Sequence, residues 1–272
     1  LDQFRYITVR VPEDAIHDAF FHTTTVEAFI SSTGRAIQGA TSHNLGQNFG
    51  KMFKIFFEDD HGERAHPWQT SWGLTTRSLG VAVMVHGDDK GLVLPPRVAP
   101  TQVVIMPITM KNADPAALTA YAEEIKAVLK ARGIRAEVDS RQNYTPGWKF
   151  NHWELKGVPM RIEVGPRDFE NKACRIVIRH DGSKHDVPIA DIGSHVSEVL
   201  ENIHNTMFAK AKEERDARIV TVTKWEDFIP VLNRGCMAIT PFCDQKEWEE
   251  IVKKRSREEA LNGAAEAATT AT

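Results

Sequence analysis

The sequence predicts an α/β (α+β) protein, and three observations carry that prediction. From residue 99 onward, short apolar runs of strand length, such as QVVIMPI (102–108), alternate with longer stretches of helical periodicity, the pattern of a layered α/β unit. The first 98 residues instead hold polar, glycine-broken segments of β character. Between the two patterns Pro95, Pro96 and Pro100 stiffen the chain, so a domain boundary is expected near residue 98.

In chain order, TVEAFISS (25–32) alternates as a strand does, and KMFKIFFED (51–59) is expected to be an aromatic strand bounded by Gly50 and the turn-like DDHGE. QTSWGLTTRSLG (69–80) is too polar for an ordinary core strand, yet it runs into the apolar VAVMV (81–85). Thr75 and Thr76 can cap a helix there, with Arg77 in its first turn. LVL (92–94) and 102–108 read as buried strands. Residues 115–132 read as a helix opening at Asp114 and ended by Gly133, and IRAEVD (134–139) as the next strand. VPMRIEV (158–164) and CRIVIRH (174–180) continue the sheet, DGSK (181–184) turns a hairpin, and a helix over 192–214 closes the unit. Beyond it come a strand in IVTVT, a helix over 225–232, a strand in MAITPF, a charged helix and an unordered tail NGAAEAATTAT. Trp148, Phe150 and Trp153 are expected in the core.

Composition excludes several classes. The net charge of −3 and a hydrophobic share of 42% announce neither a nucleic-acid coat nor a membrane protein. Residues 141–180 nonetheless carry eight Lys and Arg against four acids, a local basic patch. Three cysteines, Cys174, Cys236 and Cys243, are too few for a disulfide framework and favour a reducing, cytoplasmic setting. No apolar run has membrane-spanning length, so no membrane partner is expected.

Two polar segments are candidates for one ligand site. AIQGATSHNLGQNF (36–49) offers Gln38, Thr41, Ser42 and His43 beside glycines that let a backbone approach a ligand. SWGLTTR offers Arg77, a planar bidentate donor suited to phosphate. A turn with satisfied polar side chains is the plainer reading of each alone. His43, His61, His66 and His86 have no zinc-like spacing, no nucleophile elbow is present, and neither a Walker loop nor GxGxxG occurs. No catalytic side chain is therefore assigned.

TTTVEAFISSTGRAIQGATSHNLGQNFGKMF, followed by WQTSWGLTTRSLGVAVMVHGDDKGLVLPPRVAPTQVVI, resembles the prolyl-tRNA synthetases of the eukaryotic and archaeal type, and NYTPGWKFNHWELKGVPMRIEVGPRD (143–168) resembles their anticodon-binding domain. The likeness covers roughly residues 23–245 in colinear order. It implies three parts: the end of a class II catalytic domain with part of its antiparallel sheet (1–98), an α/β anticodon-binding domain (99–205), and a small truncated α/β domain (206–272). Residues 69–80 would be the third class II signature motif. Gln38, Thr41, Thr75 and Arg77 would bind ATP, Arg77 at the γ-phosphate, and Gln38 would help hold Mg2+ with the nucleotide. His43, Ser71, Trp72 and Gly73 would shape the L-proline pocket. Glu154, Arg161, Arg167 and Asp168 would read the two guanines of the tRNA(Pro) anticodon. The implied reaction is ATP-dependent activation of proline and its transfer to tRNA, by an enzyme that is a homodimer when complete.

Three departures qualify the likeness. Nothing in residues 1–22 resembles motif 1 or motif 2, so this chain alone is expected to be inactive, and AIHDAFFH (15–22), with His17, stands where relatives carry a pocket-closing loop. Cys243 in PFCDQKEW matches one ligand of a four-cysteine zinc site whose other ligands are missing, so no zinc is expected. A non-catalytic tRNA-binding protein or pseudo-synthetase is the alternative function.

Overall fold

The structure, a computed structural model, describes residues 5–7, 22–109, 114–243 and 245–270, with side chains except at 5–7, 246 and 260–270. Apart from His22, the AIHDAFFH segment lies outside the described residues. The chain forms two compact units, one of residues 1–81 with 213–272 and the other of 82–212. The expected boundary at residue 98 falls inside the second unit.

In the first unit β1 (Arg5–Ile7), β2 (His22–Ile30) and β3 (Arg35–Gly46) run antiparallel. Gly34, at φ 67°, closes the β2–β3 turn, and a Cβ there would meet the Gly235 Cα at 2.7 Å, a close approach that only glycine allows. Helix α1 (Asn48–Met52) and the small hairpin of β4 (Phe57–Glu58) and β5 (Arg64–Ala65) follow. β6 (Gln69–Leu74) then pairs antiparallel with β3 at the sheet edge, giving the order β1-β2-β3-β6, and α2 (Arg77–His86) continues the chain.

The aromatic strand expected over 51–59 is corrected. Phe49 and Phe53 stack at the i, i+4 spacing of a helix, with ring centroids 6.1 Å apart, and Lys54 at φ 55° ends the turn. Only Phe57 and Glu58 are extended, and Phe53, Ile55, Phe56 and Phe57 are exposed. β-propensity misleads here because only the two-residue β4–β5 hairpin forms beside these rings, with Arg64 over Phe56 at 5.2 Å, and it leaves them largely exposed.

The second unit is the predicted α/β layer. β7 (Val103–Pro107), buried at every position, lies between β8 (Ala136–Val138) and β9 (Met160–Val164) and is parallel to both, with α3 (Pro115–Ala131) crossing between β7 and β8. Asp114 caps α3 by accepting from the Ala116 N–H at 2.9 Å. Helix α4 (Pro146–Leu155) precedes β9, and α5 (Pro166–Glu170) follows it. β10 (Ala173–Ile178) and β11 (Lys184–Pro188) add antiparallel strands through the predicted hairpin, with Gly182 at φ 73°. Strand alternation sorts the core into two layers. Val103, Ile105, Ile162 and Ile176 pack with Leu118, Ile125 and Leu129 of α3 and with Val196 and Ile203 of α6 (Ile192–Asp216), whereas Val104 and Met106 face Phe150 and Trp153 of α4. Each such fully buried aliphatic side chain contributes about 1.5–3 kcal/mol.

Two expectations change in this unit. LVL forms no strand; Leu92 and Leu94 donate backbone bonds to the carbonyls of Leu155 and Gly157, leaving one buried side chain, Val93. Trp148 is 42% exposed rather than in the core, while Phe150 and Trp153 pack as expected.

The remaining segment returns to the first unit. β12 (Ile219–Thr221) and β13 (Met237–Ile239) are parallel, joined through α7 (Trp225–Asn233), and α8 (Lys246–Thr270) lies against α7 through the Trp225 indole, which donates to Glu259 at 2.7 Å. The helix runs through most of the stretch expected to be an unordered tail, because the alanines of 262–270 are strong helix formers.

Candidate functional site

The polar segments of the first unit meet on one sheet face. Across β2 and β3, Thr23 stands opposite His43 and Thr25 opposite Thr41; across β3 and β6, His43 stands opposite Ser71 and Thr41 opposite Gly73. Residues directly opposite share a face, so Thr41, His43, Ser71 and Gly73 line one side. Gln38 is three positions from Thr41 and would point the other way in a regular strand. The register shift at Val26/Glu27 leaves Gly39 as an extra residue and sets Gln38 opposite Glu27, which returns it to the same face.

The details of that face suit a ligand. The Thr23 hydroxyl lies 2.8 Å from His43 Nδ1 and fixes the imidazole. Thr25 Oγ1 is buried with no hydrogen-bond partner, an unmet polar group beside Thr41. A Cβ added at Gly73 would meet nothing within 4 Å, so the face is open there. Thr75 Oγ1 accepts from the Arg77 N–H at 3.3 Å, which starts α2 and leaves the Arg77 side chain exposed at its first turn. Ser78 donates to the Gly39 carbonyl at 3.0 Å, tying α2 to the bulge.

Trp72 is the exception among the expected pocket residues. It pairs with Ser42, donates to the Ser42 hydroxyl at 2.7 Å and is 78% exposed, on the face opposite His43. Strand alternation therefore separates Trp72 from Ser71 and Gly73. Mg2+ takes about six oxygen ligands and keeps several waters. Gln38 offers one amide oxygen, and among the described residues no group of three or more His, Cys, Asp and Glu is placed to hold a metal. These residues fit an ion that arrives with a nucleotide's phosphates. Cys243 is exposed, Cys236 is partly buried and Cys174 is buried.

In the second unit Arg161 projects from β9 on the side away from the main core. Its Nε donates to Glu163 at 2.9 Å, its Nη1 donates to Glu154 at 3.3 Å, and its Cζ lies 4.2 Å from the Phe150 ring centroid. The guanidinium thus lies over an aromatic ring between two carboxylates, with its Nη2 donors unused by those two bonds. Glu154 is anchored in turn, because its carbonyl accepts from Arg179 Nε at 3.0 Å and Arg179 grips Asp88 with both Nη groups. Val104, Trp153 and Val158 line the cleft beside them.

The other two expected readers sit on α5. Arg167 is exposed, and Asp168 accepts from the Gly165 N–H at 2.7 Å, which closes the helix start. Sequence reasoning missed Phe150, Glu163, Asp88 and Arg179. The i, i+4 spacing of Phe150 and Glu154 and the i, i+2 spacing of Arg161 and Glu163 were the available signals for the first two; nothing local announces a bond between residues 88 and 179.

Comparison with known proteins gives three further findings. Residues 102–199 match the family of anticodon binding domains. The cytoplasmic proline–tRNA ligase of Arabidopsis thaliana is 50% identical over 238 residues, covering 88% of this chain and 45% of the relative; the bifunctional glutamate/proline–tRNA ligase of Mus musculus is 52% identical over 241 residues, covering 86% and 16%. The crystal structure of prolyl-tRNA synthetase from Cryptosporidium parvum with L-proline and AMP superimposes with a TM-score of 0.86 at 43% identity, covering 94% of this chain and 52% of that one. The chain thus spans about half, or less, of the length of these relatives.

Proposed function

By sequence and by fold the chain is a homologue of the prolyl-tRNA synthetases, and on that premise we propose that it serves ATP-dependent activation of L-proline and transfer of the prolyl group to tRNA(Pro). The observation that carries the reading is Arg161, held on Phe150 between Glu154 and Glu163 within the stretch matched as an anticodon binding domain. Arginine donates to guanine O6 and N7, and a carboxylate accepts from a guanine N–H edge. In an unpaired loop both edges are accessible. Glu154, Arg161, Arg167 and Asp168 are the reading set.

The first unit supplies the nucleotide and amino-acid wall. Adenylate formation joins a proline carboxylate oxygen to the α-phosphorus and expels pyrophosphate, so it needs orientation and fixed positive charge rather than a protein nucleophile. Arg77 takes the γ-phosphate, Thr75 lies beside the nucleotide, Thr41 and Gln38 contact ATP, and Gln38 shares the accompanying Mg2+. His43, Ser71 and Gly73 border the proline ring, with the Thr23 hydroxyl orienting His43. Trp72 supports the wall from its far side through Ser42. The same reading places the chain in the cytoplasm, with homodimerisation in the complete enzyme, and divides it into catalytic (1–98), anticodon-binding (99–205) and terminal (206–272) parts. Among the described residues no helix is long and apolar enough to cross a membrane.

Filter binding of the chain to tRNA(Pro) and to a tRNA with another anticodon tests this function. Tighter binding of tRNA(Pro) supports it, and equal affinity for both removes the anticodon assignment.

A further inference from the structure

The ring that was expected in the core belongs to an exposed column. Tyr144 and Trp148 stack with centroids 3.9 Å apart and planes 13° apart, and Trp148 and His152 stack at 4.9 Å and 15°. Their i, i+4 spacing runs the three rings in order along α4. Trp153 meets His152 edge-on at 5.4 Å and closes that end, whereas Tyr144, just before the helix, is 38% exposed. The Arg141 guanidinium lies 5.1 Å from the Tyr144 ring and 5.3 Å from the Trp148 ring, beside the column.

This column lies on a different side of α4 from the guanine-reading cluster. Trp148 and His152 are half a helical turn away from Phe150 and Glu154, so it is a separate contact point rather than part of the Arg161 pocket. The charge around it suits a polyanion. Arg141 donates twice to Asp139, at 2.9 and 2.7 Å, and Lys149 also binds Asp139, so two cations face one carboxylate. Burial, then Lys156 and Arg141, lower the His152 pKa against an opposing effect of Asp139.

We propose that Tyr144, backed by Trp148 and His152 and flanked by Arg141, is the stacking platform for one unpaired nucleobase of a single-stranded RNA loop. Every base has a π-face, so the platform adds affinity without choosing sequence, while Arg141 meets the phosphate beside the stacked base. The inference rests on the reading of this unit as an RNA binder and adds a second, non-discriminating contact to it.

The test uses the full chain and anticodon stem–loop RNAs carrying 2-aminopurine at one loop position at a time. Stacking on Tyr144 is expected to quench one position outside the two guanines. Tyr144→Leu, at an exposed site, is expected to abolish that quenching and weaken binding about 10-fold, with the preference for the guanine pair retained, and Tyr144→Phe is expected to keep both quenching and affinity. Unchanged quenching and affinity in Tyr144→Leu overturn the platform while leaving the Arg161 reader standing. Loss of guanine preference in the wild-type chain, with the Tyr144 effects intact, removes the anticodon reading and supports the platform. No binding of any stem–loop overturns both.

Discussion

Arg179 holds both carboxylate oxygens of Asp88, at 2.7 and 2.6 Å, across 91 residues of sequence. The guanidinium is almost fully buried, 3% exposed, while Asp88 is 42% exposed. The same arginine fixes the carbonyl of Glu154, so this pair sets where one wall of the cluster around Arg161 stands. The hydrogen bond from Arg179 holds the Asp88 carboxyl down at about 2. A carboxyl with a depressed folded pKa stabilises the fold fully above its ordinary value of 3.8, and that contribution is lost as pH falls through about 2. Asp88→Asn is expected to cost about 1–3 kcal/mol at neutral pH, the smaller end reflecting solvent screening. Urea denaturation should show the variant and wild type converging below about pH 3; a constant difference down to pH 2 would remove Asp88 as the cause.

The cysteines differ in reactivity. Burial, then the charges of Asp168 and Asp186, push the Cys174 thiol up to about 12, and its side chain is fully enclosed in the core, while Cys243 is exposed. Brief iodoacetamide treatment at pH 8 followed by peptide mass spectrometry should label Cys243 and leave Cys174 unmodified until the chain is denatured. Labelling of Cys174 at the rate of Cys243 would mean that the core opens readily.

Arg77, proposed to take the γ-phosphate, is exposed at the start of α2 and is the one cation among the residues proposed to bind ATP. Calorimetric titration with ATP and Mg2+ should show Arg77→Ala binding about 10-fold or more weakly, the worth of a charge-assisted bidentate contact. Trp72→Phe, on the opposite face, should change ATP affinity by less than about twofold. Equal losses in the two variants would contradict the assignment of the nucleotide contact to Arg77 rather than Trp72.

A polypeptide of these 272 residues should not support robust proline-dependent exchange of pyrophosphate into ATP. Among the described residues proposed to bind ATP, Arg77 is the one cation, and its proposed place at the γ-phosphate gives the α-phosphate no fixed positive partner as its charge develops. Exchange well above the proline-free background would show that another group fills that role.

The α/β alternation was legible because both of its periods were clean. Residues 115–131 carry a helical stripe behind an Asp114 cap, and 103–107 form an unbroken apolar run. Residues 51–59 misled because bulky aromatics suit a strand only where a neighbour packs on them. The candidate residues were grouped by their polar, glycine-flanked segments, and the strand register brings Gln38, Thr41 and His43 to one sheet face. Their faces were not legible in the sequence: a single bulge at Gly39 decides where Gln38 points, and a register decides that Trp72 and His43 part company. Trp148 was placed in the core because indoles usually are buried, whereas here Tyr144 and His152 cover its faces instead.

The most direct test of the central claim, that Arg161 reads guanine in a proline anticodon, replaces one acceptor atom of the RNA. Stem–loops bearing the two guanines are compared with versions in which each guanine in turn is 7-deazaguanine, which lacks the N7 acceptor, using wild-type chain and Arg161→Ala. Wild type is expected to lose about 5- to 100-fold in affinity at one of the two positions, the value of one arginine–guanine pair, and Arg161→Ala is expected to bind the guanine and deazaguanine loops equally. A loss of the same size in both proteins would contradict the account.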